Sequence, residues 1–171
     1  MSDQPLQRKV CLLGDFGSGK TSLVRRYVEG IFSDDYISTI GVKISRRTVF
    51  TPNNRQVNLI IWDLAGGSDF DGKQASYLQG SLAAVLICDL TRKTTLTTLR
   101  KYIKIMREIE PAIQFLLLAN KNDLTDLREI ADEEISLLAN EIQAAWFTTS
   151  AKTGEQVQQA FDQLAFRLEP P

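Results

Sequence analysis

Two kinds of hydrophobic run alternate along this chain. Short stretches that are apolar throughout, or at every second residue, predict strands over Lys9–Leu13, Lys43–Phe50, Val57–Trp62, Leu82–Asp89, Gln114–Asn120 and Ala145–Ser150. Between them apolar residues recur three and four positions apart, which predicts helices over Lys20–Glu29, Gly72–Leu78, Thr95–Glu110, Asp132–Gln143 and Glu155–Leu168. In the last of these Val157, Phe161, Leu164, Ala165 and Leu168 share one face, and Pro111 closes the third. The fourth and fifth strand runs are nearly continuously apolar, as strands covered on both faces must be, and belong at the centre of a parallel sheet. Thr51-Pro52-Asn53-Asn54-Arg55 is rich in turn formers and reads as a hairpin, so one edge strand should run antiparallel. The expected fold is α/β: a six-stranded, mostly parallel sheet with one antiparallel edge strand and helices on both faces. Doubly wound sheets of this sort bind ligands beyond the carboxyl ends of their strands.

Composition narrows the setting. A length of 171 residues, 43% of them hydrophobic, suits one domain over 1–171 with a sizeable core. Lys and Arg total 20 against 21 Asp and Glu, so a net charge of −1 gives no electrostatic reason to expect nucleic acid or an anionic membrane as partner. Cys11 and Cys88 both lie in apolar strand runs, where a thiol acts as a small hydrophobe; a reducing compartment and no disulfide follow. Met1-Ser2-Asp3-Gln4-Pro5 lacks a charged leader with an apolar core, and no apolar run approaches membrane-spanning length. The expected location is cytoplasmic.

Chemistry enters at the end of the first strand. Gly14-Asp15-Phe16-Gly17-Ser18-Gly19-Lys20-Thr21 fits the G-x-x-x-x-G-K-[ST] phosphate loop, placed between a strand run and a helical run. In that context the backbone N–H groups from Asp15 to Ser22 converge on phosphate oxygens at a helix start. Lys20 reaches the β and γ phosphates, and the Thr21 hydroxyl ligates Mg²⁺, a hard cation that prefers oxygen donors. The plain alternative is an ordinary strand-to-helix turn, and the strand and helical runs on either side of the motif weigh against it.

Other polar clusters also follow strand runs: Asp63-Leu64-Ala65-Gly66 after the third, Asn120-Lys121-Asn122-Asp123 after the fifth, and Ser150-Ala151-Lys152 after the sixth. With Phe32, Tyr36 and Thr39-Ile40-Gly41-Val42 ahead of the second strand, the chain resembles the Ras-like small GTPases, closest to the Rab type, over about residues 7–168. The resemblance implies a P-loop NTPase G domain that binds GTP or GDP with Mg²⁺ and acts as a molecular switch. The Asp123 carboxylate can accept two hydrogen bonds from guanine, a pair that adenine cannot offer. The resemblance further implies that Asn120 braces the loops, Lys121 covers the ring, the Ala151 N–H meets the guanine oxygen between Ser150 and Lys152, and Phe32 packs edge-on against the base. Thr39 and Asp63 would complete the magnesium shell with Thr21, and the Gly66 N–H would contact the γ-phosphate. Two loops tethered by one phosphate turn its loss into an order–disorder change that effectors read. Effectors, an exchange factor and a GTPase-activating protein are therefore expected around 32–47 and 63–78.

Two departures from the family pattern fall on the hydrolytic machinery. The family usually reads Asp-Thr-Ala-Gly-Gln in its second switch, where this chain reads Asp63-Leu64-Ala65-Gly66-Gly67. Gly67 has no side chain to orient the attacking water, so hydrolysis by Lys20, Thr39, Gly66 and Gly67 should be slower by about 10²-fold, or about 2.7 kcal/mol. Phe16 stands where relatives carry a small residue, and a ring there would crowd the γ-phosphate or an inserted arginine; turned outward, it would do neither. The expected function is a switch with weak intrinsic GTPase activity, and the alternative is a non-hydrolysing GTP-binding scaffold. The chain ends at Glu169-Pro170-Pro171, with no cysteine to prenylate at that end.

Overall fold

The strand periodicity of two decides how the sheet is covered. Along β1 (Leu6–Gly14), Val10 and Leu12 face one side while Cys11 and Leu13 face the other. β4 (Ala83–Asp89) and β5 (Gln114–Asn120) split in the same way, with Val85, Ile87, Leu116 and Leu118 on the first side and Leu86, Cys88, Leu117 and Ala119 on the second. The first side packs against α1 (Lys20–Glu29) through Leu23, Val24 and Tyr27, and against α5 (Val157–Arg167) through Phe161 and Leu164. The second packs against α3 (Lys93–Ile109) through Leu99, Tyr102 and Met106, and against α4 (Asp132–Glu141) through Ile135 and Leu138. α2 (Gly72–Leu78) adds Leu78 to that second core. The computed structural model describes residues 4–35, 38–67 and 72–170.

β2 (Val42–Phe50), β3 (Gln56–Leu64) and β6 (Ala145–Thr148) complete a six-stranded sheet of order β2-β3-β1-β4-β5-β6. β2 pairs antiparallel with β3, and every other pair is parallel. The hairpin turn is closed by Thr51 N donating to Arg55 O (2.9 Å), with Asn54 at φ +58°. The expected fold class is the one observed. Among the described residues no helix is long and apolar enough to cross a membrane.

Several boundaries differ from the sequence expectation: β1 begins at Leu6 rather than Lys9, and three further differences have a visible cause. α3 begins at Lys93 rather than Thr95, because the Thr95 hydroxyl is buried and ties that first turn to β4, accepting from Asp89 N at 2.9 Å. β6 stops at Thr148, because Thr149 and Ser150 turn their side chains to Asn120 and Asp123. α5 starts at Val157 after Gln156 at φ +53°, a left-handed residue that cannot continue a helix backward to Glu155. A 3₁₀ turn over Thr125–Leu127 lies between β5 and α4, where the sequence shows no periodic pattern.

Candidate functional site

Four strand ends converge on one cleft of about 290 Å³. The loop from Gly14 to Lys20 wraps its floor. Gly19 is at φ +99°, and a Cβ there would lie 2.2 Å from Asn120 Nδ2, so both the backbone conformation and the close approach exclude a side chain. Asn120 uses that proximity: its Nδ2 donates to Ser18 O (3.0 Å), and its Oδ1 accepts from Thr149 Oγ1 and from Ala151 N, each at 3.3 Å. One buried amide thus ties the phosphate-loop candidate to the loops after β5 and β6.

Lys20 is buried and donates from Nζ to Gly14 O (3.0 Å) and Asp15 O (3.2 Å). Burial holds its pKa below the ordinary lysine value, with the Asp63 and Asp15 carboxylates opposing that shift. Beside it three oxygens meet. Thr21 Oγ1 lies 2.6 Å from Asp63 Oδ2 and 2.5 Å from Thr39 Oγ1, and Thr39 Oγ1 lies 3.4 Å from the same carboxylate oxygen. Asp63 is 1% exposed and its Oδ1 is buried with no hydrogen-bond partner among the described residues. Burial raises its pKa, while the Thr21 hydroxyl and the Lys20 ammonium pull the other way. The two hydroxyls and the Asp63 carboxylate, whose Oδ2 they share and whose Oδ1 has no partner among the described residues, form an all-oxygen donor set of the kind a hard divalent cation such as Mg²⁺ takes.

At the other end, Ser150 Oγ donates to Asp123 Oδ1 (2.6 Å) and fixes the carboxylate at the cleft wall. The backbone of Lys121 is left-handed (φ +69°) and its ammonium pairs with Asp89 Oδ2 at 2.7 Å. Ala151 N, expected at the guanine oxygen, donates to Asn120 in this structure. Lys152 forms an exposed pair with Asp34 (3.7 Å). Phe32 both lines the cleft and packs against the α1–α5 core.

Of the residues singled out from sequence, Phe16, Gly17, Gly19, Lys20, Thr21, Ser22, Phe32, Thr39, Gly66, Asn120, Lys121, Asp123, Ala151 and Lys152 line this cleft. Ser18, Asp63 and Ser150 are buried behind its wall, and Asp15 accepts from Phe16 N at 2.7 Å. Tyr36 and the segment Ser68, Asp69, Phe70 and Asp71 lie outside the described residues. Phe16 is 55% exposed at the mouth. Gly67 sits at φ +81°, and its N–H donates to the Tyr102 hydroxyl (3.2 Å), which in turn donates to Gly14 O (3.3 Å).

Sequence reasoning missed Asp89, Arg92 and Tyr102. The first two had a signal: Asp89-Leu90-Thr91-Arg92 is the polar cluster after the fourth strand, the one relevant strand end passed over. Tyr102 had none, since an aromatic at helical spacing reads as core.

The Ras family model matches residues 9–169. The chain belongs to the Ras family. Mouse Ras-related protein Rab-22A is 36% identical over 161 residues, spanning 94% of this chain and 82% of the relative. Tobacco Ras-related protein Rab5 is 37% identical over 164 residues (95% and 82%), and human Ras-related protein Rab-31 is 36% identical over 163 (95% and 83%). This Ras-family chain is a small GTPase of the Rab type. Membership carries GTP binding, GTPase activity, Mg²⁺ dependence and interaction with effectors, exchange factors and activating proteins in their general form.

Proposed function

We propose that residues 1–171 form one G domain that binds GDP or GTP in this cleft, selects guanine through Asp123, and hydrolyses GTP slowly because position 67 has no side chain. The observation that carries the reading is the meeting of Thr21, Thr39 and Asp63 beside a buried Lys20, with Asp63 Oδ1 unsatisfied. Thr21, Thr39 and Asp63 would hold Mg²⁺, which supplies positive charge against the polyphosphate. Lys20 and the amides between Asp15 and Ser22 would bind the phosphates, and Gly66 N–H would contact the terminal one. Asn120 and Ser150 orient the loops that present Asp123 and Ala151, while Lys121, Lys152 and Phe32 flank the base. Loss of the terminal phosphate would release the segments around 32–47 and 63–78, which are the surfaces offered to effectors and regulators. Work in the cytoplasm accords with this role.

Gly67 also favours a second reading, a GTP-binding scaffold that does not hydrolyse. Mass analysis of the nucleotide released on denaturation, followed by single-turnover loss of GTP with and without activator, separates the possibilities. A guanine nucleotide with slow, activator-sensitive decay is expected. An adenine nucleotide would overturn the base assignment, and no decay over many hours in either condition would establish the scaffold.

A further inference from the structure

The carboxylate of Asp89 ends β4 outside the cleft lining, 1% exposed, and four donors saturate it. Thr91 N (2.9 Å) and Thr91 Oγ1 (2.7 Å) reach Oδ1; Arg92 Nε (3.0 Å) and Lys121 Nζ (2.7 Å) reach Oδ2. These bonds hold its carboxyl below the usual carboxylate range even though burial pushes the other way. Arg92 has a second hold, because its Nη2 donates to the carbonyl oxygen of Phe16 at 2.7 Å. A guanidinium is planar and rigid, so anchoring Nε on Asp89 and Nη2 on Phe16 fixes that peptide relative to β4. The amide of Phe16 is held as well, by Asp15 Oδ1 at 2.7 Å. The loop beyond it passes through two left-handed glycines, Gly17 and Gly19, and is held next at Ser18, whose carbonyl accepts from Asn120 Nδ2 at 3.0 Å.

From this geometry we infer that Arg92 is a positioning residue for nucleotide retention: it holds the phosphate loop through the Phe16 carbonyl and, through Asp89, joins that loop to the base-flanking Lys121. Arg92 itself does not line the cleft and is 41% exposed, so it acts through the groups that it holds. The Asp89–Lys121 pair has a task of its own, since Lys121 is a non-glycine residue at φ +69° whose ion pair offsets the strain of that conformation. The two ends of a bound nucleotide are then gripped by loops that share one carboxylate. This inference rests on the guanine-nucleotide reading of the cleft.

Release of a fluorescent GDP analogue, measured by stopped flow in Mg²⁺ for wild type, Arg92→Gln, Arg92→Lys, Asp89→Asn and the double variant Arg92→Gln/Asp89→Asn, tests it. Loss of charge-assisted bonds should raise the release rate about tenfold in Arg92→Gln. Arg92→Lys, with one point charge in place of a fork, should release as fast, and Asp89→Asn at least as fast. The double variant should be no more than about twofold faster than Asp89→Asn, because a shared relay can be broken only once. A merely structural arginine would lower the melting temperature and leave release unchanged. Arg92→Gln within twofold of wild type, full rescue by lysine, or multiplying effects in the double variant would each overturn the inference. Wild type that fails to bind GDP would instead remove the reading of the cleft on which it depends.

Discussion

Placing a glutamine side chain at position 67 tests whether the proposed slow hydrolysis is a matter of one missing group. The naive expectation for Gly67→Gln is recovery of about 10²-fold in rate, or about 2.7 kcal/mol. The structure argues for less. A built Cβ at Gly67 would stand 3.5 Å from Phe16 Cβ and 3.6 Å from Asp15 Oδ1, ordinary contacts that leave room for one carbon. The backbone is the obstacle: φ is +81°, and an L-residue in that region costs about 1–2 kcal/mol. Rotating out of it would break the bond from the Gly67 amide to the Tyr102 hydroxyl, a loss of about 1 kcal/mol. Escaping 1–2 kcal/mol of strain at a loss of about 1 leaves the productive backbone disfavoured by up to about 1 kcal/mol, so the gain falls to about 1.7–2.7 kcal/mol, or about 20- to 100-fold. The same strain, capped at about 1 kcal/mol by that escape, should lower the melting temperature by about 2–4 °C for a chain of this size. Single-turnover GTP loss and thermal unfolding of the wild type, Gly67→Gln and Gly67→Ala decide the matter. Gly67→Ala should show the same fall in melting temperature with no gain in rate. A gain of 10²-fold or more at unchanged melting temperature would refute the claim that the backbone at 67 is committed to glycine.

Asp123→Asn should cut guanine-over-adenine discrimination by at least 10²-fold while leaving the melting temperature within a few degrees, measured by competition between GDP and ADP, since a buried polar site left unpaired by the wrong base is what discriminates. Asp89 has a depressed folded pKa, so its stabilisation is complete above the ordinary value of 3.8 and is lost as pH falls through the lower folded value. The melting-temperature gap between wild type and Asp89→Asn should therefore be constant near neutrality and shrink below pH 3.8; a gap independent of pH would count against the ion cluster. Burial pushes the thiols of Cys11 and Cys88 up to about 12, so neither should react with a disulfide reagent at pH 8 until the protein is unfolded, and rapid labelling of the native protein would contradict the packing.

Most of the fold was legible because its signals are local. Strands covered on both faces must be apolar at every position, and Ala83–Asp89 and Gln114–Asn120 are buried almost throughout. The hairpin announced itself through Pro52, Asn53 and Asn54, whose turn chemistry is short in range. The cleft was legible for a different reason: strand carboxyl ends gather in space, so polar residues placed after successive apolar runs become neighbours without any long-range inference. What escaped was pairwise. Nothing local says that Lys121 turns its ammonium to Asp89, that Arg92 reaches back 76 residues to Phe16, or that a core tyrosine spares its hydroxyl for Gly67. The helix boundaries at Lys93 and Val157 escaped similarly, since a buried hydroxyl in one case and a left-handed Gln156 in the other set them.

The departures at residues 16 and 67 are better understood together than singly. Phe16 is anchored at both its amide and its carbonyl, which leaves its ring exposed at the mouth, and its Cβ stands where the first carbon of a residue-67 side chain would touch. Gly67 is held through its own amide by Tyr102, whose hydroxyl also bonds Gly14 at the root of the phosphate-loop candidate. Two exits lead from a triphosphate-bound state, hydrolysis and release. On the proposed reading the glycine narrows the first and the Arg92–Asp89 relay narrows the second, and both act on the same few peptides. A chain built in this way holds its bound state until something external moves those peptides. On that same reading, timing would fall to regulators engaging the segments around 32–47 and 63–78, and the cleft itself would set which base is held and how firmly.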